Sequence, residues 1–168
     1  ALRLYASLRS AGDTVTCGAL TTRTELLDRA RFDETDIVFF AAGEQVAAEW
    51  LTRSTAGGAV AIDTSPLLLA DLDVPIVVPE VNAADIGDFA TRTIIASPDP
   101  VAIAVAVALK PLDDAAQVTR VAVTAFEPVS GLGRAGIEEL QQQTIDLMAG
   151  RSVEPAVFPA RVAFNLLP

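Results

Sequence analysis

Apolar residues recur along this chain in short runs, and the period within the runs changes from one stretch to the next. Leu2–Ala6 is apolar and gives way to Ser7 and then Ser10-Ala11-Gly12, which predicts a strand followed by a turn. Asp36–Ala41 holds a continuous apolar run that ends before Gly43, the pattern of a buried parallel strand. Over Glu44–Thr55 the spacing becomes helical and puts Val46, Ala47, Trp50 and Leu51 on one face. Gly57-Gly58 stops that helix, and Ala59–Ile62 reads as the next strand. Strand, helix and strand at this spacing make a βαβ unit, so the fold class is α/β with a parallel sheet.

The pattern then loosens. Pro66, Pro75 and Pro79 forbid a long regular element between Asp63 and Asn82, which predicts an ordered loop crossing between modules. Thr93–Ala96 is another short strand. Asp99–Leu109 reads as a helix capped by Asp99, with Pro100 in its first turn and Lys110-Pro111 closing it. Val118–Phe126 alternates as a half-buried strand does. Arg134–Met148 is an amphipathic helix with Ile137, Leu140, Ile145 and Met148 as its apolar stripe and Gly150 as its stop. Pro155–Pro168 returns to an extended pattern, and the apolar end Leu166-Leu167-Pro168 looks like a cut through a larger fold.

Composition narrows the function classes. The chain has 168 residues, 51% of them apolar and 20% charged, enough for a buried core and too few charges for disorder. A net charge of −10 argues against nucleic acid and against an anionic membrane surface as partners. The most apolar stretch, Val101–Leu109, is about half the roughly 18–20 residues that span a bilayer. With no histidine, there is no Ser-His or Cys-His pair and no His-containing zinc site; no metal is expected. The single cysteine, Cys17, excludes an internal disulfide and reads as a small buried hydrophobe. The expected location is the cytoplasm.

Several segments together carry a family resemblance. Val74-Pro75-Ile76-Val77-Val78-Pro79-Glu80-Val81-Asn82 closely resembles a V-P-L-V-V-P-E-V-N segment of the aspartate-semialdehyde dehydrogenases. Ala6–Gly12 resembles that family's A-S-x-R-S-A-G, Ala108–Leu112 its A-L-K-P-L, Val129–Gly133 its V-S-G-x-G and Ala163-Phe164-Asn165 its A-F-N. The matches run in family order from near the start to the last residues. The resemblance implies a partial Rossmann-like, parallel-sheet NADP-binding domain over residues 1–95. Residues 96–168 would then open an α/β catalytic and dimerisation domain that forms a homodimer when intact. It further implies that the family's first strand, glycine loop and first helix, and its later histidine and arginine, lie outside these residues. A sheet with an uncovered edge or face is expected in consequence.

The family oxidises an aldehyde through a thioester with NADP and phosphate, and a cysteine thiolate attacks the carbonyl. In the family that cysteine opens a helix in a motif like N-P-N-C-S-T. Here the matching segment is Ser97-Pro98-Asp99-Pro100-Val101-Ala102, and Pro100 stands in the cysteine's place. Glu127 stands where the family has a supporting glutamine, and a carboxylate there repels an oxyanion and a phosphate. Leu69 stands where the family has a phosphate-holding arginine. Three roles lost together imply a scaffold without its chemistry, similar to the Usg-type homologues that lack the catalytic cysteine.

The resemblance assigns cofactor contacts to Ser7, Arg9, Ser10, Ala42, Gly43, Ser130 and Gly131. Ser7, Arg9 and Ser10 fit the adenosine 2′-phosphate of NADP, and Ser130 and Gly131 fall near the nicotinamide. NADP is expected in the full-length protein and no cofactor in these residues alone. Gly131-Leu132-Gly133-Arg134-Ala135-Gly136 also matches G-x-G-x-x-G, yet Pro128 breaks the preceding strand and no second parallel strand follows, so it is read as a decoy. Asp113-Asp114 and Glu138-Glu139 are read as solvated helix faces. The competing functions are an active NADP-linked oxidoreductase acting on a related aldehyde through altered residues and a purely structural dimerising module.

Overall fold

The computed structural model describes residues 2–91 and 93–168. They form two compact units, residues 1–119 and residues 120–168. The first contains six strands: β1 (Leu4–Ala6), β2 (Thr14–Cys17), β3 (Leu20–Leu26), β4 (Ile37–Phe40), β5 (Val60–Asp63) and β6 (Ile94–Ala96). Its helices are α1 (Glu44–Thr55), the short α2 (Pro79–Asn82) and α3 (Pro100–Ala116). The second unit holds α4 (Gly133–Met148), entered through a tight turn at Val129–Leu132. The α/β class is as expected.

The strands make two sheets of three, ordered β1-β3-β2 and β4-β5-β6. In the second sheet all pairs are parallel, with Val38 beside Ala61 and Ala61 beside Ile94. This register sends Val38, Phe40, Ala61, Asp63, Ile94 and Ala96 to one face, because side chains alternate along a strand. Helix α1 covers that face with Ala47, Trp50 and Leu51, as its spacing predicted, and with Ser54, which it did not; Val46 is only partly buried, and this is the core. The other face carries Ile37 and Phe39, which are 54% and 69% exposed. Strand β4 is therefore half-buried rather than fully buried, and the expected uncovered face is present.

The first sheet is mixed. β1 runs parallel to β3, while β2 and β3 form an antiparallel hairpin turning at Gly18. The polar hairpin leaves Cys17 exposed, so the reading of this thiol as buried is corrected. Aromatic contacts join the sheets: the Tyr5 ring meets Phe32 at 6.0 Å and Phe32 meets Trp50 at 6.3 Å, both edge-on.

Prolines 66, 75 and 79 do rule out long regular structure, but the loop does not cross between modules. It returns to its own sheet, where Val77 N–H donates to the Ala96 carbonyl at 2.9 Å and Ala96 N–H to the Pro75 carbonyl at 2.9 Å. Val74, Val77 and Val78 are buried beneath it. Asp63, fully buried at the end of β5, anchors the loop by accepting from the Ser65 N–H (3.0 Å) and hydroxyl (2.9 Å).

Three further expectations are corrected. Helix α3 is not closed at Lys110-Pro111 but continues to Ala116 and ends at left-handed Gln117. The bond that Pro111 cannot donate falls on an exposed stretch, where solvent replaces it. Val118–Phe126 is not a strand: Val121, Val123 and Phe126 are 47%, 55% and 76% exposed, and no described segment pairs with it. A strand needs a ladder partner, and alternation alone supplies none. On α4 the packed side is Gly136 and Gln143, with Leu140 and Leu147 half-buried, whereas Ile137, Ile145 and Met148 of the expected stripe are exposed.

The reason lies in polar clamps. Gln143 is buried and its side-chain oxygen accepts from the Val162 (2.9 Å) and Ala163 (3.1 Å) N–H groups. Glu139 accepts from Gln143 at 2.6 Å and from the N–H groups of Ala156 and Val157, so it is a structural acceptor rather than a solvated charge. The tail from 151 onward thus folds back on α4 with bends and no strand.

Replacing Trp50 with alanine removes the aromatic link and the largest core side chain, and is expected to cost about 3–5 kcal/mol. Urea unfolding followed by far-ultraviolet circular dichroism measures this; Arg53→Ala, which removes an exposed cation over the Trp50 ring and its exposed pair with Glu49, should cost less than about 1 kcal/mol. Asp146 lies below the usual carboxylate range because it accepts hydrogen bonds from Gln142 and Arg151. A depressed folded value stabilises the fold above the ordinary carboxylate range, and that contribution is lost as pH falls through the depressed value. Arg151→Ala should raise the Asp146 midpoint in an NMR titration; an unmoved midpoint would contradict this assignment.

Candidate functional site

In open parallel sheets ligands lie outside the carboxyl ends of the strands, where loops lead off in different directions. Two such ends carry the residues expected to contact a cofactor. After β1 the chain makes a compact turn, with the Ser10 and Ala11 N–H groups donating to the Ser7 carbonyl at 3.0 and 2.9 Å. Gly12, at φ 95°, then lets the chain enter the hairpin, and its N–H donates to the Thr24 carbonyl at 2.9 Å. The turn thereby presents Ser7 and Arg9 outward, both exposed. After β4, Ala42 and Gly43 are also exposed; Gly43, at φ 92°, precedes α1, whose N-terminus has no side-chain cap.

An open surface depression lies beside the first turn. Ser7 and Arg9 line it, together with Asp28 just beyond β3 and Gln45, Glu49 and Trp50 of α1. Ser10, Ala42 and Gly43 are not among its lining residues. Asp28, Gln45 and Glu49 escaped the sequence reading. Glu49 and Gln45 lie on the outer side of a helix read only for its apolar face, and Asp28 follows a hairpin whose polar alternation was not read as strand.

The positions expected to carry chemistry fall in different places. Pro100 is the first residue of α3. Asp99 caps this helix, its carboxylate accepting from the Val101 N–H at 2.7 Å and more weakly from Ala102 at 3.4 Å. Leu69 is half-buried and packs against the core under α1. Glu127 is exposed in the second unit, as are Ser130 and Gly131 in the turn before α4.

That turn also explains the decoy glycines. A Cβ on Gly136 would sit 2.5 Å from the Val129 carbonyl oxygen and 3.3 Å from the Phe158 ring, so the third glycine is required by close packing. Gly133, at φ 66°, lets the tight turn pass into the helix. No strand precedes the motif.

Parallel strands with a crevice at their carboxyl ends, followed by a separate helical unit, define a Rossmann-like nucleotide-binding domain joined to a dimerisation domain. The chain belongs to the semialdehyde dehydrogenase family: residues 1–89 match the family's NAD binding domain and residues 109–168 its dimerisation domain. It is 40% identical over 163 residues to an aspartate-semialdehyde dehydrogenase of Rickettsia conorii, covering 97% of this chain and 48% of that protein. It is 40% identical over 167 residues to aspartate-semialdehyde dehydrogenase 2 of Vibrio cholerae, covering 99% and 50%. The crystal structure of aspartate semialdehyde dehydrogenase II complexed with ASA from Vibrio cholerae superimposes with a TM-score of 0.86 at 39% identity, covering 97% and 48%. The chain spans about half the length of the curated relatives it matches.

Gly136→Ala tests the packing role of the decoy. Alanine is favoured by about 1 kcal/mol inside a helix, yet here the clash with backbone should win and destabilise the unit by about 1–3 kcal/mol. A melting temperature that rises in the variant would show that the glycine has another purpose.

Proposed function

We propose that this protein is a Usg-type semialdehyde dehydrogenase homologue that has given up phosphorylating aldehyde chemistry and keeps a nucleotide-binding, dimerising scaffold. The observation that carries the reading is Pro100. Thioester chemistry needs a thiolate, and proline at the position the resemblance gives the nucleophile offers neither a nucleophile nor an N–H. The next two N–H groups of α3 already bond to the Asp99 carboxylate, which leaves an oxyanion in competition with a fixed negative charge.

Two further residues support it. Leu69, at the position of the phosphate-holding arginine, has its side chain in the apolar cluster and nothing to offer an anion. Glu127, at the position of the supporting glutamine, brings a negative charge where an oxyanion and a phosphate need donors. One loss is open to compensation by neighbours; three roles in one reaction are not recovered by small rearrangements.

The nucleotide role rests on the opening beside Ser7 and Arg9, a place for the adenosine end of a dinucleotide; the resemblance gives Ser10, Ala42, Gly43, Ser130 and Gly131 as further contacts. NADP, when bound, supplies a hydride acceptor. In this reading residues 1–95 are the nucleotide-binding part, residues 96–168 belong to the catalytic and dimerisation part, and the intact protein is a homodimer.

A spectrophotometric assay of the intact protein, with aspartate semialdehyde, NADP and phosphate varied, tests the loss of chemistry. No phosphate-dependent turnover is expected. Pro100→Cys alone should stay silent, and only the combination with Leu69→Arg and Glu127→Gln should bring back a trace. Saturable, phosphate-dependent turnover of the unmodified protein above roughly 1 per second, the low end of ordinary enzymes, would overturn the reading.

A further inference from the structure

The depression beside the first turn is not a simple cation pocket. Arg9 is its one basic lining residue, while Asp28 and Glu49 bring two carboxylates. Glu49 shares its charge with Arg53, 3.7 Å away, through a pair that is 61% exposed on both sides and so only weakly neutralising. The remaining polar lining, Ser7 and Gln45, is uncharged and able both to donate and to accept.

We propose that Asp28 and Glu49 set the nucleotide preference of this subsite by opposing Arg9, so that it takes an adenosine with a free ribose 2′-hydroxyl at least as well as one carrying a 2′-phosphate. The inference rests on the nucleotide-binding reading above and concerns which nucleotide is held. A 2′-phosphate brings up to two negative charges into a depression whose lining already sums to one, and two like charges face it for every opposite one. A ribose hydroxyl is neutral and donates to a carboxylate, the arrangement that Rossmann folds use to hold an unphosphorylated ribose. The guanidinium keeps some attraction for the phosphate; the carboxylates offset it.

The experiment compares 5′-AMP with adenosine 2′,5′-bisphosphate as probes, binding to the intact protein, of which these residues are about half by the length of its relatives, at low salt by NMR titration. The unmodified protein should bind the bisphosphate no tighter than 5′-AMP. In Asp28→Asn/Glu49→Gln the bisphosphate should tighten by at least about threefold while 5′-AMP moves less than about twofold. Arg9→Ala should shift the ratio the other way, which ties the effect to this depression. Both acidic residues are exposed or lie on an exposed helix surface, so the isosteric amides leave packing intact. An unchanged ratio in the double variant, or a bisphosphate that binds tighter than 5′-AMP to the unmodified protein, overturns the proposal while leaving nucleotide binding in place. Failure of both probes to bind would instead remove the nucleotide-binding reading, and this inference with it.

Discussion

Trp50 sits where the two sheets of the first unit meet. Its indole closes the apolar face of β4-β5-β6 together with Ala47 and Leu51, and its edge meets Phe32, which in turn meets Tyr5 of β1. Neither sheet has more than three strands, and small sheets need a covering layer to be stable. The aromatic relay supplies the lateral tie that strand pairing does not, and Tyr5 adds a hydroxyl donated to the Arg31 carbonyl at 3.1 Å. The opening beside Ser7 and Arg9 is built on the same contact. Trp50 forms part of its wall, so the turn after β1 and the outer side of α1 keep their separation only while this packing holds.

The second constraint is the direction of the loop after β5. Parallel strands need a crossover, and the one between β5 and β6 is an irregular path rather than a long helix. Such a path has to satisfy its own backbone, and here Asp63 and Ser65 start it while the strand-like bridge of Ile76 to Ala96 ends it. Leu67, Leu68 and Leu69 fill the space between. At this position an arginine would have to lift its guanidinium out of an apolar cluster, whereas leucine completes it. The packing thus gives Leu69 a structural reason to be there, independent of any reaction.

Elements with strong local signals were legible in the sequence. Helix α1, with Val46, Ala47, Trp50 and Leu51 on one face and glycines behind it, came out with its boundaries, and Asp99 with Pro100 marked the start of α3. What failed depended on partners far along the chain. The alternation of Val118–Phe126 gave no sign that a ladder partner is missing among the described residues, and the polar hairpin Thr14–Leu26 has too few apolar positions to declare itself. On α4 the apolar stripe misled because the buried side is held by amide and carboxylate clamps, Gln143 and Glu139, whose backbone partners in the tail lie 17 to 20 residues away. Of the site, Ser7 and Arg9 were legible through a motif. Asp28 and Glu49, which share that lining, were not, since an exposed carboxylate carries no periodic signal.

Glycine patterns show the same limit from the other side. Gly131, Gly133 and Gly136 have the spacing that cradles a pyrophosphate in a dinucleotide fold, but spacing fixes only where backbone can approach closely. In this molecule what approaches Gly136 is the chain's own Val129 carbonyl. Gly43 stands instead between a parallel strand and a helix N-terminus that no side chain caps. The physical content of a nucleotide-binding glycine is that junction, with free N–H groups facing a crevice. By that criterion the three-glycine motif, whose last glycine is closed off by its own chain, is a packing device that shares the lettering of a cofactor loop.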